Sequence, residues 1–209
     1  NGRSSTILIF IILLVFISAI TMQAVLSAPA SVQPAKYVIV MIADGWGPQH
    51  IAAANAYSGT EPAYQSWPQY WMATYPYGGF YDPQAAWSDF DYVKSGATDS
   101  AAAATTLFNG VKTSSGRISV THDNNRLYAI TEKARDLDMA VGAVTSVYAS
   151  HATPGAWFSH NDARNNGFAI ADEGFWGEPN TTGTAVDSEY YAGGHGATKP
   201  AIDVILGAG

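Results

Sequence analysis

The stretch RLYAITEKARDLDMAVGAVTSV, residues 126–147, places a helix-forming pattern directly before a strand-forming one. Residues 126–138 repeat apolar side chains at helical spacing between charged ones, which predicts an amphipathic helix. Residues 139–147 form an uncharged run rich in Val, which predicts a buried strand. A helix joined to a buried strand by a short connection is typical of α/β proteins, so we expect this fold class.

The same alternation extends toward both ends of the chain. Residues 36–45, KYVIVMIADG, are a continuous apolar run ended by Asp-Gly, as expected of a strand buried in a parallel sheet. Helices are predicted from Pro48 and from Ser100, and short strands over residues 91–96 and 201–209. The expected architecture is a mostly parallel central sheet with helices on both faces.

Two segments show neither the helical nor the strand periodicity of apolar residues. Residues 58–90 are rich in Tyr, Trp, Pro and Gly, which predicts an irregular excursion over the top of the sheet. Residues 165–200 are rich in Gly, Asn and Thr, and their role stays open.

The N-terminal region has the layout of a secretory signal peptide. An apolar run over residues 7–20 follows Arg3, and small residues frame a cleavage site near Ala28 or Ala30. We expect residues 1–30 to be a signal peptide, with an uncleaved membrane anchor as the alternative. A linker over 31–36 and a domain from 37 to 209 would follow, exported to the periplasm or the extracellular space.

Composition excludes several classes of function. The net charge is −7 and the 10 Lys and Arg residues are scattered, so we expect no nucleic-acid binding. The chain has no Cys, which excludes disulfides, thiolate metal sites and Cys nucleophiles. Contact with a membrane is expected only if the N-terminal segment stays uncleaved.

Polar residues follow the predicted strands, where open α/β sheets place their sites. They combine a carboxylate, a hydroxyl at a helix N-terminus that favours anions, and an arginine, which together suit a phosphate. These candidates are Asp44, Asp99, Ser100, His151, Thr153 and Arg164.

Each candidate also has a plain structural interpretation. Asp44 could only form a turn, and Ser100 could only cap its helix. His151 and Thr153 could shape a loop, and Arg164 could be a solvated surface residue. A functional site is favoured because these residues occur in this order along the chain, within segments of specific sequence.

Three segments in this order resemble the N-terminal part of the alkaline phosphatases. The most specific is ATDSAAAATTLFNGVKT, residues 97–113, which fits the active-site pattern of Asp-Ser followed by small residues and Thr. VIVMIADGWGPQHIAAANAY, residues 38–57, and VGAVTSVYASHATPGAWFSHNDAR, residues 141–164, support it. The resemblance covers roughly residues 37–164 and implies a three-layer sandwich, of which this chain is the N-terminal part.

The resemblance also implies roles for the candidates and a cofactor set of two Zn²⁺ and one Mg²⁺. By that resemblance Ser100 is the nucleophile, Arg164 clamps the phosphate and Asp99 holds Arg164. Asp44 would bridge a zinc and the magnesium ion, one zinc would hold the Ser100 alkoxide, and Thr153 would be a magnesium ligand.

His151 stands where members of the family carry His or Asp, and we expect it beside the magnesium rather than in contact with it.

Further metal ligands of the family come from segments beyond residue 164, and no matching segment follows. His195 has the wrong neighbours, and we expect structural roles for His50, His122 and His160. We therefore expect the chain to be part of a longer protein and to be inactive and poorly folded alone. The resemblance leaves room for a homodimer.

The expected activity is metal-dependent hydrolysis of small phosphate monoesters through a phosphoserine, releasing inorganic phosphate. A phosphodiesterase or sulfatase of the same fold is one alternative. A non-catalytic fragment without the full metal set is the other.

Overall fold

The computed structural model describes residues 35–95, 97–176 and 202–208. The predicted signal peptide, most of the linker and the Gly-rich part of 165–200 after Trp176 lie outside these residues. The chain divides into two compact units, Asn1–Ala43 and Asp44–Gly209. Among the described residues, no helix has both the length and the apolar character needed to cross a membrane.

The described residues of the second unit contain helices and two strands in alternation, which confirms the α/β class. In chain order the elements are α1 Pro48–Ser58, α2 Pro83–Ser88, α3 Ser100–Asn109, α4 Ile130–Asp136, β1 Gly142–Tyr148, α5 Ala152–Phe158, α6 Gly167–Trp176 and β2 Val204–Ala208. Short 3-10 turns lie at Ala63–Ser66 and Tyr92–Lys94.

Strands β1 and β2 pair in parallel, with Gly142 opposite Val204 and Val144 opposite Leu206. This confirms the strands predicted within 139–147 and 201–209. The predicted burial of β1 is wrong, because Val144 is 77% exposed and β2 is its one neighbour in the described sheet. A two-stranded sheet has too few packing partners to cover both faces.

Two other predicted strands are also wrong. Residues 36–45 pair with no described strand, and their apolar side chains are exposed, Met41 by 90%. An apolar run becomes a strand only where a neighbouring backbone completes its hydrogen bonds. The described part of the other predicted strand, residues 91–95, instead forms local hydrogen bonds, since the amide of Lys94 donates to the carbonyl of Asp91 at 3.1 Å.

The helices begin and end where local chemistry favours it. α1 starts at Pro48, which suits a first helical position because it has no amide hydrogen to satisfy. The carboxylate of Asp99 caps α3 by accepting from the amide of Ala102 at 2.9 Å. Gly110 ends α3 at φ 72°, a left-handed conformation that glycine adopts without strain.

The apolar core joins α3, α5, α6 and the residues that lead into the two strands. Phe108 of α3 packs edge-on against Trp157 of α5, with ring centroids 4.7 Å apart. The buried residues of this core are Ala101, Ala104, Phe108, Ile118, Val141, Ala152, Ala156, Phe158, Ile170 and Ile202. The core therefore holds the helix that begins at Ser100 against the helix that contains Thr153.

A buried polar chain reinforces this packing. Thr105 of α3 accepts from the amide of Ser119 at 2.8 Å, and Asn109 donates to the Ser119 hydroxyl at 3.1 Å. That hydroxyl donates to the carbonyl of Ala156 in α5 at 2.9 Å. Because these groups are buried, each hydrogen bond is costly to lose. This series of hydrogen bonds therefore fixes α3 relative to α5.

Candidate functional site

The N-terminus of α3 forms the centre of the candidate site. Asp99, and not Ser100, is the residue that caps this helix, and Ser100 is its first helical residue. The interpretation of Ser100 as a plain N-cap is therefore wrong. Ala101 and Ala102 are 0% and 1% exposed, so the alanine row lets neighbouring backbone approach the start of the helix.

Asp99 also holds the arginine of the candidate site. Its second carboxylate oxygen pairs with Nη1 of Arg164 at 3.1 Å and accepts from the amide of Gly116 at 2.8 Å. The amide of Arg164 in turn donates to the carbonyl of Gly116 at 2.7 Å. One carboxylate thus links the start of α3 to the segment that carries Arg164.

Asp44 and Thr153 meet across 109 residues of sequence. The Thr153 hydroxyl donates to the carboxylate of Asp44 at 2.8 Å. Burial raises the pKa of Asp44, but hydrogen bonds from Thr153 and Ser100 and the charges of His151 and Arg164 outweigh it. The net pKa therefore lies below the ordinary value of 3.8.

His151 lies next to Arg164, with its Nε2 atom 3.3 Å from Nη2 of the guanidinium. A guanidinium only donates, so Nε2 accepts this hydrogen bond and the proton of a neutral ring is on Nδ1. Nδ1 is buried and has no partner among the described residues.

The structure brings all the predicted site residues together in two linked groups. One group contains Asp99, Arg164 and His151, and the other contains Asp44 and Thr153. The two groups are linked because Ser100 and the charge of Arg164 both act on Asp44. Their chemical roles stay predictions. Sequence reasoning missed the backbone of Gly116, because its turn sequence carries no sign of the two bonds that it makes.

The donor set of these residues suits part of a magnesium site. Asp44 and Thr153 offer oxygen atoms, which magnesium prefers, and they already lie within hydrogen-bond distance. Zinc sites draw on nitrogen or sulfur as well. Within residues 35–95, 97–176 and 202–208, no three His, Asp or Glu side chains group to hold a metal ion. The described residues therefore supply no complete zinc site.

The other described histidines have structural contacts. His50 accepts from the amide of Gly47 at the start of α1, and His122 stacks on Tyr77 with ring centroids 3.7 Å apart. His160 is 1% exposed and bonded to Glu173. These contacts agree with the structural roles expected for them, and His195 lies outside the described residues.

Comparison with known proteins identifies the family. A family model described as alkaline phosphatase matches residues 35–209. Alkaline phosphatase 3 of Bacillus subtilis is 31% identical over 181 residues, which are 83% of this chain and 32% of the relative. The streptomycin-6-phosphate phosphatase of Streptomyces griseus is 32% identical over 191 residues, 88% of this chain and 38% of the relative.

Among solved structures, the cold-active alkaline phosphatase of Shewanella sp. superposes with a TM-score of 0.49 at 30% identity, covering 63% of this chain and 31% of that one. The chain thus spans about a third of the length of the curated relatives described above. The family match covers far more than half of the chain, and the chain belongs to the alkaline phosphatase family.

Proposed function

We propose that the protein hydrolyses phosphate monoesters through a phosphoserine at Ser100. The observation that carries this proposal is the position of Ser100 as the first residue of α3, within reach of the carboxylate of Asp44 and next to the Asp99–Arg164 pair. A helix N-terminus attracts a phosphate through its free amides and its dipole. The two curated relatives described above are phosphatases by name, which supports a monoester substrate.

In the first step, Ser100 gives its hydroxyl proton to solvent, Oγ attacks phosphorus and the bond to the ester oxygen breaks. The alcohol leaves with a proton from solvent, and the phosphoryl group stays on Ser100. Water then attacks the phosphoserine, which releases inorganic phosphate and returns the serine hydroxyl. Arg164 suits the phosphate because its planar guanidinium can donate two parallel hydrogen bonds.

Asp44 has two tasks in this proposal. Its pKa lies below the ordinary value of 3.8, so its carboxylate is ionised throughout the neutral and alkaline range and can accept a hydrogen bond from the nearby Ser100 hydroxyl. Together with Thr153 it would hold a magnesium ion. A bound divalent cation supplies positive charge that makes ionisation of a nearby hydroxyl easier.

The complete cofactor set that we propose is two zinc ions and one magnesium ion. Beyond Asp44 and Ser100, the zinc ligands would come from outside the described residues. We also propose that the protein is exported, because the apolar run over residues 7–20 has the layout of a signal peptide. Its partners would be small monoesters rather than nucleic acid, and a homodimer is compatible with this function.

The test is turnover of p-nitrophenyl phosphate by the full-length protein at alkaline pH. We expect activity that a chelator abolishes and that added zinc and magnesium restore. Arg164→Lys keeps the positive charge but loses the paired hydrogen bonds, so it should raise KM with retained turnover. Activity that survives complete metal removal would overturn the metal-dependent mechanism.

Two related esters separate this function from its alternatives. Bis(p-nitrophenyl) phosphate and p-nitrophenyl sulfate are the corresponding diester and sulfate. Preferential turnover of either would replace the monoesterase by a phosphodiesterase or a sulfatase. A metal-loaded full-length protein that turns over none of the three would be a non-catalytic protein.

A further inference from the structure

A fully buried ionisable pair lies next to the loop that carries Arg164. His160 is 1% exposed and Glu173 of α6 is 0% exposed. One oxygen of Glu173 accepts from the Ser159 hydroxyl and from the His160 amide, each at 2.7 Å. The other oxygen lies 2.7 Å from Nδ1 of the His160 ring. Glu173 thus anchors two successive residues of the loop.

The His160 ring is held at both of its nitrogen atoms. Nε2 lies 3.0 Å from the carbonyl oxygen of Leu127, and Nδ1 lies 2.7 Å from the Glu173 oxygen. Glu132 of α4 places a carboxylate oxygen 3.5 Å from Nε2, and Arg126 is paired with Glu132. The ring thus faces two acidic side chains, from α4 and from α6.

The anchored loop leads directly to Arg164. Between them, Asn161 exchanges two backbone hydrogen bonds of 2.8 Å with Ile118, and the amide of Arg164 bonds to Gly116. The loop is therefore held on one side by residues 116–118 and on the other side by Glu173.

We propose that Glu173 is a positioning residue for Arg164, acting through the loop that it anchors at Ser159 and His160. The proposal rests on the role of Arg164 as the phosphate clamp. Loss of the Glu173 carboxylate takes the buried partner away from the Ser159 hydroxyl, from the His160 amide and from Nδ1 of the His160 ring, which loosens the loop.

Glu173→Gln keeps the size of the side chain and can replace its hydrogen bonds. The amide oxygen of Gln can accept from Ser159 and from the His160 amide, and its NH2 group can donate to Nδ1 of the ring. Asp172→Asn, at the partly exposed neighbour on the same helix, is the matched control, and we expect it to keep the parent's kinetic constants.

Kinetics of the full-length protein test the positioning role. We expect Glu173→Ala to raise KM for p-nitrophenyl phosphate and the inhibition constant of inorganic phosphate by about tenfold, since charge-assisted bonds are lost. Glu173→Gln should restore both constants. Unchanged constants in Glu173→Ala would overturn the positioning role. A parent without phosphatase activity would instead refute the proposed function, and calorimetry of inorganic phosphate binding to the parent and to Glu173→Ala would still decide the positioning role.

Discussion

At the residue scale, Asp99 caps the helix α3, a role that was the structural alternative for Ser100. Its carboxylate accepts from the amide of Ala102, from the amide of Gly116 and from Arg164. The hydroxyl of Ser100 is left for other chemistry, since it makes no capping bond. A serine that is not needed to start its helix is a better candidate for a nucleophile.

Because Asp99 and not Ser100 caps the helix, we predict unequal effects on stability for two neighbouring substitutions. Ser100→Ala should change the free energy of unfolding by less than about 0.5 kcal/mol, because Ala is favourable in a helix and the cap stays. Asp99→Ala should cost at least about 1 kcal/mol through loss of the cap alone. Denaturant unfolding of both variants measures the difference, and a larger loss in Ser100→Ala would contradict the assignment of the cap.

The lowered pKa of Asp44 predicts how the site responds to acid. A carboxyl whose folded pKa is depressed stabilises the protein above its unfolded pKa of about 3.9, and this contribution disappears as pH falls through the folded value. An NMR titration should therefore place the midpoint of Asp44 below 3.8. Thr153→Val removes one of the causes and should raise that midpoint, and an unchanged midpoint would show that Thr153 has no influence on it.

At the element scale, sequence patterns predicted the helices better than the strands. α1, α3 and α4 lie within their predicted segments because Pro48, Asp99 and the helical spacing around Ile130 act locally. A strand depends on a neighbour that the local sequence does not name. Residues 36–45 and 91–96 have strand-like composition, yet they lack a pairing strand among the described residues.

The contact between α5 and α6 is close enough to exclude one methyl group. A Cβ atom on Gly174 would lie 2.5 Å from the ring of Phe158, which is 2% exposed. Gly174→Ala should therefore destabilise the protein by about 1–3 kcal/mol, although Ala favours a helix.

Gly167→Ala in the same helix is the control for this prediction. Its Cβ would meet the end of the Ser150 side chain at 3.1 Å, which can rotate away. We expect its thermal unfolding temperature to stay close to that of the parent. A Gly174→Ala protein as stable as the parent would show that α5 and α6 pack less closely.

At the scale of the whole molecule, the parallel pair β1–β2 exposes apolar side chains that such sheets usually bury. Val144 is 77% exposed and its partner Leu206 is 58% exposed. Exposed apolar strands promote association between chains. The expectation that this chain folds poorly alone remains a prediction, and these exposed strands give it a physical basis.

Val144→Lys should reduce self-association of the isolated chain without loss of stability. A charge on an exposed strand opposes edge-to-edge pairing, and surface substitutions usually change stability by less than about 0.5 kcal/mol. Val141→Lys, at a buried core position that is 6% exposed, should instead unfold the chain. Sedimentation and thermal unfolding measure both effects, and equal association of Val144→Lys and the parent would exclude this face as the contact.

The candidate site was more predictable than the sheet. The segments whose sequences predicted phosphate chemistry contain Asp44, Ser100, Thr153 and Arg164. The structure brings these four residues together. The role of Glu173 could not be read from the sequence, because its partners Ser159 and His160 are chosen by the packing of α6 against the loop.

The central claim is that Ser100 carries the phosphoryl group during turnover. The most direct measurement is to quench the full-length, metal-loaded protein in acid during turnover of a phosphate monoester and to map the modified peptide by mass spectrometry. The account predicts one added phosphoryl group within residues 97–110, on Ser100, and none in Ser100→Ala. A phosphoryl group on another residue, or undiminished turnover by Ser100→Ala, would contradict it.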